Sequence, residues 1–78
     1  MSLLSIIVPC YNEEAVLPLF YEEIQKVMQQ MKDEHSHLTF ELLFIDDGSK
    51  DRTLEILREM SLQDERVRFI SFSRNLII

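Results

Sequence analysis

The stretch FELLFIDDGSKDRT, residues 40–53, decides the fold of this 78-residue chain. Its first six residues form a nearly continuous apolar run, which is typical of a strand covered on both faces of a sheet. The run ends at the adjacent carboxylates Asp46 and Asp47, after which a glycine and polar residues favour a turn. Since Ser49 or Asp51 can cap a following helix, the stretch predicts a strand that leads directly into a helix.

The same alternation of strand and helix occupies the rest of the chain. Residues 3–8 are an apolar run that we expect to end at Pro9, since proline cannot donate a hydrogen bond to a sheet. Pro18 then marks the first turn of a helix that begins near residues 15–17. The apolar face of this helix recurs at steps of three and four residues and comprises Val16, Phe20, Ile24, Val27 and Met31.

The remaining elements complete an alternating order. Residues 32–39 are polar and predict a loop, and residues 66–72 predict a third strand. The second helix should run to about Leu62 with Leu54, Leu57 and either Met60 or Ser61 inward. The order β-α-β-α-β predicts an α/β fold with a three-stranded parallel sheet, strand order 3-2-1, and both helices on one face.

This arrangement leaves the second face of the sheet bare, although the second and third strands are apolar on both sides. Either another chain covers that face, or residues 1–78 are the first half of a larger sheet. An uncovered apolar face, together with the open edge of the first strand, also predicts that the chain self-associates.

The composition excludes several classes of function. A net charge of −6 opposes binding to nucleic acid, whose phosphates require an excess of Lys and Arg. Cys10 is the only cysteine, which argues against a disulfide scaffold and for a reducing compartment. No apolar run approaches the roughly 18 residues of a membrane span, and the N-terminus lacks the pattern of a signal peptide. We therefore expect a cytoplasmic chain.

The candidate site lies where the strands end. Ligands of open α/β sheets bind beyond the carboxyl ends of the strands, so the segments PCYNEE, DDGS and SRN should meet at one edge. The candidate residues of that edge are Tyr11, Asn12, Glu13, Glu14, Asp46, Asp47, Ser49, Arg74 and Asn75.

Gly48 is the only glycine, which excludes a glycine-rich phosphate-binding loop. An acidic edge facing a diphosphate requires a divalent cation, so the residues predict a metal-assisted nucleotide site with the acids near the base and ribose.

Each candidate also has a structural interpretation. Either Asp46 or Asp47 could form a turn while the other caps the second helix. Glu13 could simply favour the positive end of a helix, and Tyr11 could be an ordinary half-buried aromatic side chain. Cys10 has no histidine near it in the sequence, which favours a small buried side chain over a nucleophile.

Three segments in this order, SIIVPCYNEE, ELLFIDDGSKDRT and RFISFSRN, resemble the N-terminal half of family-two glycosyltransferases with the GT-A fold. The resemblance extends over residues 4–75 and is closest to polyprenyl-phosphate sugar transferases such as the dolichyl-phosphate mannose synthases. It implies that residues 1–78 are the incomplete, nucleotide-binding half of a Rossmann-like glycosyltransferase domain.

The resemblance implies roles for individual residues. The nucleoside pocket would be lined by Pro9, Tyr11, Glu13 and Ile45. Asp47 would accept a hydrogen bond from the base, with Asp46 beside it as a support. Arg74 either binds a phosphate of the donor or of a lipid acceptor, or pairs with a carboxylate of the same edge.

The resemblance also implies a parent reaction, the transfer of a sugar with inversion from a UDP- or GDP-sugar to an acceptor, here a polyprenyl phosphate of the cell envelope. The Mg or Mn ion of the parent and its catalytic base depend on acidic motifs that residues 1–78 lack. We therefore expect this chain alone to bind no metal and catalyse no transfer, with the parent at the cytoplasmic face of the membrane. The alternative is a non-catalytic α/β interaction module that uses its exposed apolar face.

Overall fold

The computed structural model describes residues 2–72, which form three strands and two helices in strict alternation. The elements are β1 Ser2–Cys10, α1 Leu17–Glu34, β2 Leu38–Asp46, α2 Thr53–Gln63 and β3 Val67–Ser71. The strands form one parallel sheet in the order β1-β2-β3, so the predicted α/β fold and strand order are confirmed. No helix within residues 2–72 has the length and apolar character needed to cross a bilayer.

The register of the sheet brings the carboxyl ends of its strands into one row. Cys10, the last residue of β1, is the partner of Asp46, the last residue of β2. Asp46 is in turn the partner of Ser71 at the end of β3. Segments that follow β1 and β2 therefore emerge side by side at this edge, as the sequence predicts.

One face of the sheet carries the core. Phe40, Leu42 and Phe44 alternate along β2 and are buried, and they belong to a cluster with Met28 of α1 and Leu57 of α2. Because both helices contribute to this cluster, they cover the same face of the sheet, in agreement with the prediction. Each fully buried side chain of this size contributes roughly 1.5–3 kcal/mol relative to an exposed one.

The opposite sheet face, which we call the open face, carries several exposed apolar side chains. The side chains of Leu3 and Ile7 are each 61% exposed, and that of Ile70 is 44% exposed. Leu43 and Ile45 lie between them on β2 and are half-buried. Within residues 2–72 no helix covers this face, so the bare face expected from the strand order is present.

The expected end of the first strand is wrong, and the expected inward face of the first helix is wrong in part. β1 continues through Pro9 to Cys10, because an edge strand has one side without a ladder partner and can accommodate proline there. In α1, Phe20, Ile24 and Met31 pack against the core as predicted. Leu17 and Met28 are the buried residues of this face, whereas Val16 and Val27 are exposed. Val16 is the N-cap residue of α1, one position before the helix begins.

The predicted loop between α1 and β2 is also too long. α1 extends to Glu34, where the N–H of His35 donates to Met31 O at 2.8 Å and closes the last turn. β2 then begins at Leu38, which leaves only three residues between the two elements. Lys32, Asp33 and Glu34, which belonged to the predicted loop, are exposed residues of the last turn of α1.

Candidate functional site

The segments after β1 and β2 are joined by a set of hydrogen bonds between backbone and side chains. Three consecutive N–H groups of the first segment each donate to a different side-chain oxygen of the second. These bonds are Asn12 N to Ser49 Oγ at 2.9 Å, Glu13 N to Thr53 Oγ1 at 2.8 Å and Glu14 N to Asp51 Oδ2 at 3.2 Å. In the reverse direction, the N–H of Lys50 donates to Asn12 Oδ1 at 2.8 Å. The two segments therefore form one unit.

Two residues of these segments have a positive φ angle. Gly48 has φ 72°, which glycine adopts without a steric penalty, and Asn12 has φ 51°. Asparagine is among the few other residues that tolerate this left-handed region, because its short amide can bond locally. The Asn12 amide oxygen is held by Lys50 N–H in this structure. The tight change of direction after β1 therefore depends on Asn12.

Asp46 is buried, with 1% of its surface exposed. We call it a brace because its hydrogen bonds link the ends of β2 and β3 to the turn after β2. Its Oδ1 accepts hydrogen bonds from the Ser49 N–H at 3.1 Å and from the Ser49 hydroxyl, and its Oδ2 accepts from the Ser71 hydroxyl at 3.2 Å. Its backbone oxygen accepts from Phe72 N–H at 2.8 Å. Both carboxylate oxygens are thus engaged in fixing the turn after β2 and the end of β3.

Asp47, the neighbouring acid, is exposed. Its N–H donates to the backbone oxygen of Cys10 at 3.0 Å, which fixes its backbone to the end of β1. The helix start is capped by neither acid of the pair, because the N–H of Thr53 donates to Asp51 Oδ1 at 2.9 Å. Asp46 therefore forms the turn, as one structural interpretation of the acidic pair predicted. Asp47 lies at the surface of the edge formed by the carboxyl ends of the strands, which we call the rim.

The other candidate residues lie at this same edge. Pro9 and Ile45 are register partners, and Tyr11 and Asp47 immediately follow the paired strand ends. A cavity of about 180 Å³ beside β1 is lined by Val8, Pro9, Cys10, Glu13, Val16, Leu17 and Phe20. Pro9 and Glu13 are therefore brought together. Arg74 and Asn75 lie outside the described residues.

A larger cavity of about 610 Å³ lies at the opposite end of the sheet. It is lined by Met28, Gln29, Lys32, Leu38, Thr39, Phe40, Glu65, Arg66 and Arg68. None of the candidate residues lines it. Ligands of open α/β sheets bind beyond the carboxyl ends of the strands, so this larger cavity lies away from the edge where the sequence predicts a site.

Residues 5–77 match the model of the family described as Glycosyl transferase family 2. The chain belongs to this family. The resemblance identified from the three sequence segments is therefore confirmed. The chain spans about a fifth of the length of the curated relatives it matches.

Three relatives illustrate the family. The chain is 55% identical over 71 residues to "Uncharacterized glycosyltransferase YkcC" of Bacillus subtilis (strain 168), a match that covers 91% of this chain and 20% of the relative. It is 38% identical over 72 residues to "Bactoprenol glucosyl transferase" of Shigella phage SfV. It is 33% identical over 72 residues to "Dolichyl-phosphate beta-glucosyltransferase ALG5D" of Trichomonas vaginalis (strain ATCC PRA-98 / G3). Each of the last two matches covers 92% of this chain and 22% of the relative.

Cys10 of this family 2 chain is buried, with 4% of its surface exposed. Burial, followed by the negative charges of Asp46 and Glu13, raises the pKa of the Cys10 thiol to about 11. The thiol is therefore protonated near neutral pH and is a poor nucleophile. This agrees with the interpretation of Cys10 as a small buried side chain.

The acidic side chains of this family 2 chain are spread out within the described residues. Within residues 2–72 no group of three or more His, Cys, Asp or Glu side chains is arranged to hold a metal ion. The oxygens of Asp46 are already occupied by Ser49 and Ser71. The Mg or Mn ion expected in the parent enzyme remains a prediction that concerns other residues.

Sequence reasoning missed the residues that join the two segments, above all Thr53 and the bridging role of Ser49. Both were visible only as turn-forming or helix-capping residue types. Their actual partners are Glu13 and Asn12, which lie 40 and 37 residues away in sequence. A hydroxyl gives no sequence signal for a partner so distant, so this part of the site required the structure.

Proposed function

We propose that this chain supplies the nucleoside-binding part of a GT-A glycosyltransferase that transfers a sugar, with inversion, from a UDP- or GDP-sugar to a polyprenyl phosphate. The observation that carries the proposal is the different environment of the two adjacent acids. Asp46 is buried and fully engaged as a brace, whereas its neighbour Asp47 is fixed by its backbone and exposed at the rim. Membership in glycosyl transferase family 2 supports the reaction class.

The rim residues suit a nucleoside. An ionised carboxylate only accepts hydrogen bonds, so Asp47 can take the ring N–H of uracil or guanine. Pro9 and Ile45, which are register partners, provide an apolar wall, and Tyr11 provides an aromatic face. Glu13 offers a second acceptor, suited to the ribose hydroxyls.

The phosphates need positive charge from elsewhere. The chain has a net charge of −6, and its rim is acidic. A bound Mg or Mn ion would supply the positive charge that the diphosphate needs, and we propose that the parent protein holds it with residues outside 2–72. Arg74 is proposed as a phosphate contact through its bidentate fork.

The acceptor is inferred from the relatives. The names of two of them, from Shigella phage SfV and Trichomonas vaginalis, refer to bactoprenol and dolichyl phosphate. We therefore propose a polyprenyl phosphate acceptor and a parent protein that works at the cytoplasmic face of the membrane. The chain itself is expected to have no transferase activity, and turnover by the purified 78-residue protein would refute that expectation.

Nucleotide titration tests the proposal. The ¹⁵N-labelled chain is titrated with UDP and with GDP, each with and without Mg²⁺, and the amide shifts of Tyr11 and Asp47 are followed. We expect saturable shifts for one nucleotide, and an affinity at least about tenfold lower in Asp47→Asn, which replaces a charged acceptor. Asp33→Asn is the matched control because Asp33 is an exposed acid on α1.

The alternative is an interaction module. It is favoured by the open face, where Leu3, Ile7 and Ile70 are exposed. The same titration separates the two functions: an absence of shifts with either nucleotide would reject the nucleotide pocket and leave the open face as the functional surface.

A further inference from the structure

We propose that Asn12, Ser49, Asp51 and Thr53 are positioning residues that set the affinity for the donor nucleotide without touching it. We call these four residues the loop clamp. The inference rests on the proposed function, because the residues they position are Tyr11, Glu13 and Asp47. It assigns a role in binding to side chains that a helix-cap or turn interpretation would leave purely structural.

Thr53 is the centre of the loop clamp. It is the first residue of α2 and is 0% exposed. Its hydroxyl accepts the Glu13 N–H at 2.8 Å and donates to Asp51 Oδ1 at 2.6 Å. Both hydrogen-bonding functions of the hydroxyl are therefore used, and its orientation is fixed from two sides.

The backbone of Glu13 is hydrogen-bonded through both its N–H and its carbonyl oxygen. Its N–H is bound by Thr53 of α2, and its backbone oxygen accepts from Val16 N–H at 3.0 Å and Leu17 N–H at 2.8 Å at the start of α1. The backbone of Glu13 thus links the starts of the two helices. A small shift of α2 relative to α1 would move the Glu13 carboxylate directly.

Asp51 connects the cap of α2 to the first segment. Its carboxylate accepts from the Thr53 N–H, the Thr53 hydroxyl and the Glu14 N–H. Desolvation raises the pKa of Asp51, but the hydrogen bonds from Thr53 and Glu14 outweigh it and leave that pKa below its usual value. The group is therefore a charged acceptor at neutral pH, and charge-assisted bonds are stronger than neutral ones.

Asn12 and Ser49 extend the loop clamp to the strand ends. Ser49 Oγ accepts the Asn12 N–H and its hydroxyl donates to Asp46, which in turn accepts from Ser71. Asn12 keeps its left-handed backbone while accepting Lys50 N–H. The peptide after Tyr11 is thereby held in a conformation that few residues adopt unaided.

A preorganised site binds its ligand more tightly, since less conformational entropy is lost on binding. Glu13 is bonded directly by the loop clamp, Tyr11 precedes Asn12, and Asp47 lies two residues before Ser49. Loosening the loop clamp should consequently weaken nucleotide binding even though no residue in contact with the nucleotide is altered.

The deciding experiment uses Thr53→Val, which keeps the buried volume but removes the hydroxyl, and Thr53→Ser, which keeps the hydroxyl. Thr39→Val is the matched control, because the Thr39 hydroxyl donates to Ser2 O at the opposite end of the sheet.

The dissociation constants for UDP and GDP and the hydrogen-exchange rate of the Glu13 amide are measured for each chain. We expect Thr53→Val to bind about tenfold more weakly and to exchange the Glu13 amide about tenfold faster, since one hydrogen bond to that amide is lost. Thr53→Ser should restore most of the affinity, and Thr39→Val should bind as the unsubstituted chain does.

Asn12→Gly is the second variant. It tests the inference even if Thr53→Val fails to fold. Asn12 is exposed and glycine adopts a positive φ freely, so the fold should persist while the bond from Lys50 is lost. We expect weaker nucleotide binding in this variant as well. Unchanged affinity in both Thr53→Val and Asn12→Gly would overturn the inference, as would a Glu13 amide that exchanges equally fast with and without the Thr53 hydroxyl.

The failure of the proposed function gives a different result. If the unsubstituted chain binds neither UDP nor GDP, the nucleotide pocket is refuted, and with it the effect of the loop clamp on affinity. The Glu13 exchange rate would still report whether Thr53 holds the first segment in place. The two readouts therefore separate a wrong function from a wrong role for the loop clamp.

Discussion

The carboxylate of Asp46 at the end of β2 accepts a hydrogen bond from the Ser71 hydroxyl at the end of β3, over 3.2 Å. The two residues are register partners, so this bond crosses from one strand to its neighbour at the edge where the candidate site lies. The other carboxylate oxygen accepts from Ser49 in the turn after β2. One buried carboxylate thus ties together two strand ends and the turn that presents Asp47.

Replacing Asp46 should destabilise the protein. Asp46→Ala leaves the Ser49 N–H and the Ser71 hydroxyl without their acceptor in a buried place, and an unsatisfied buried polar group costs about 1–3 kcal/mol. We expect a decrease of that size in the free energy of unfolding, measured by urea denaturation. Asp33→Ala, at an exposed position on α1, should change the free energy of unfolding by about 0.5 kcal/mol or less. Equal stabilities of the two variants would contradict the role of Asp46 as a brace.

A second carboxylate should govern the stability in acid. Asp64 accepts from Arg66 Nε at 2.9 Å and Nη2 at 2.7 Å and from the Tyr21 hydroxyl at 2.6 Å, which joins α1 to the connection before β3. The hydrogen bonds from Arg66, with a further one from Tyr21, hold the pKa of Asp64 well below its usual value. Because the folded pKa lies below that of the unfolded chain, this contribution is complete above about pH 4 and is lost as the pH falls toward the folded pKa.

The test is urea denaturation between pH 2 and pH 7 of the unsubstituted chain and of Asp64→Asn. We expect the stability of the unsubstituted chain to fall more steeply below about pH 4 than that of Asp64→Asn, since an amide cannot titrate. Asp33→Asn should keep the steep fall. Parallel pH profiles for the unsubstituted chain and Asp64→Asn would show that other carboxylates cause the acid dependence.

Cys10 should be inert in the folded protein. Its thiol is buried, and its pKa of about 11 leaves little thiolate at pH 8. We expect its reaction with a disulfide reagent at pH 8 to be at least about a hundredfold slower in buffer than in denaturing urea, where the pKa returns to about 8.5. A fast reaction of the folded chain would show that the end of β1 opens readily.

The strand order and the general place of the site follow from the sequence because they depend on strong, local signals. The apolar runs around Ile6 and Leu42, together with the helical repeat between them, are sufficient to define a parallel sheet with helices on one face. Three of the five residues predicted for the inward face of α1 pack against the core, but Val27 was expected there in place of Met28, because the two are both apolar and adjacent in sequence. Packing against β2 selects Met28, and that choice is made in three dimensions.

The contacts within the site could be predicted only in part. The two acids and the loop after β1 were expected at one edge, since each directly follows a strand. The bond from Glu13 to Thr53 joins residues 40 positions apart, and it forms because the start of α2 lies beside the segment after β1. Such a pairing is fixed by the packing of whole elements, so no local pattern in the sequence could indicate it.

The open face should make the isolated chain associate with itself. Ile7 on β1 is 61% exposed and Ile70 on β3 is 44% exposed, so a second copy could bury both. Ile7→Glu introduces a charge into this surface, and we expect the oligomers detected by light scattering to dissociate toward the monomer. Leu62→Glu is the matched control, because Leu62 is a leucine of α2 that is 87% exposed and lies away from the sheet. Association that persists in Ile7→Glu but disappears in Leu62→Glu would place the contact on the helices, and a monomeric unsubstituted chain would reject self-association altogether.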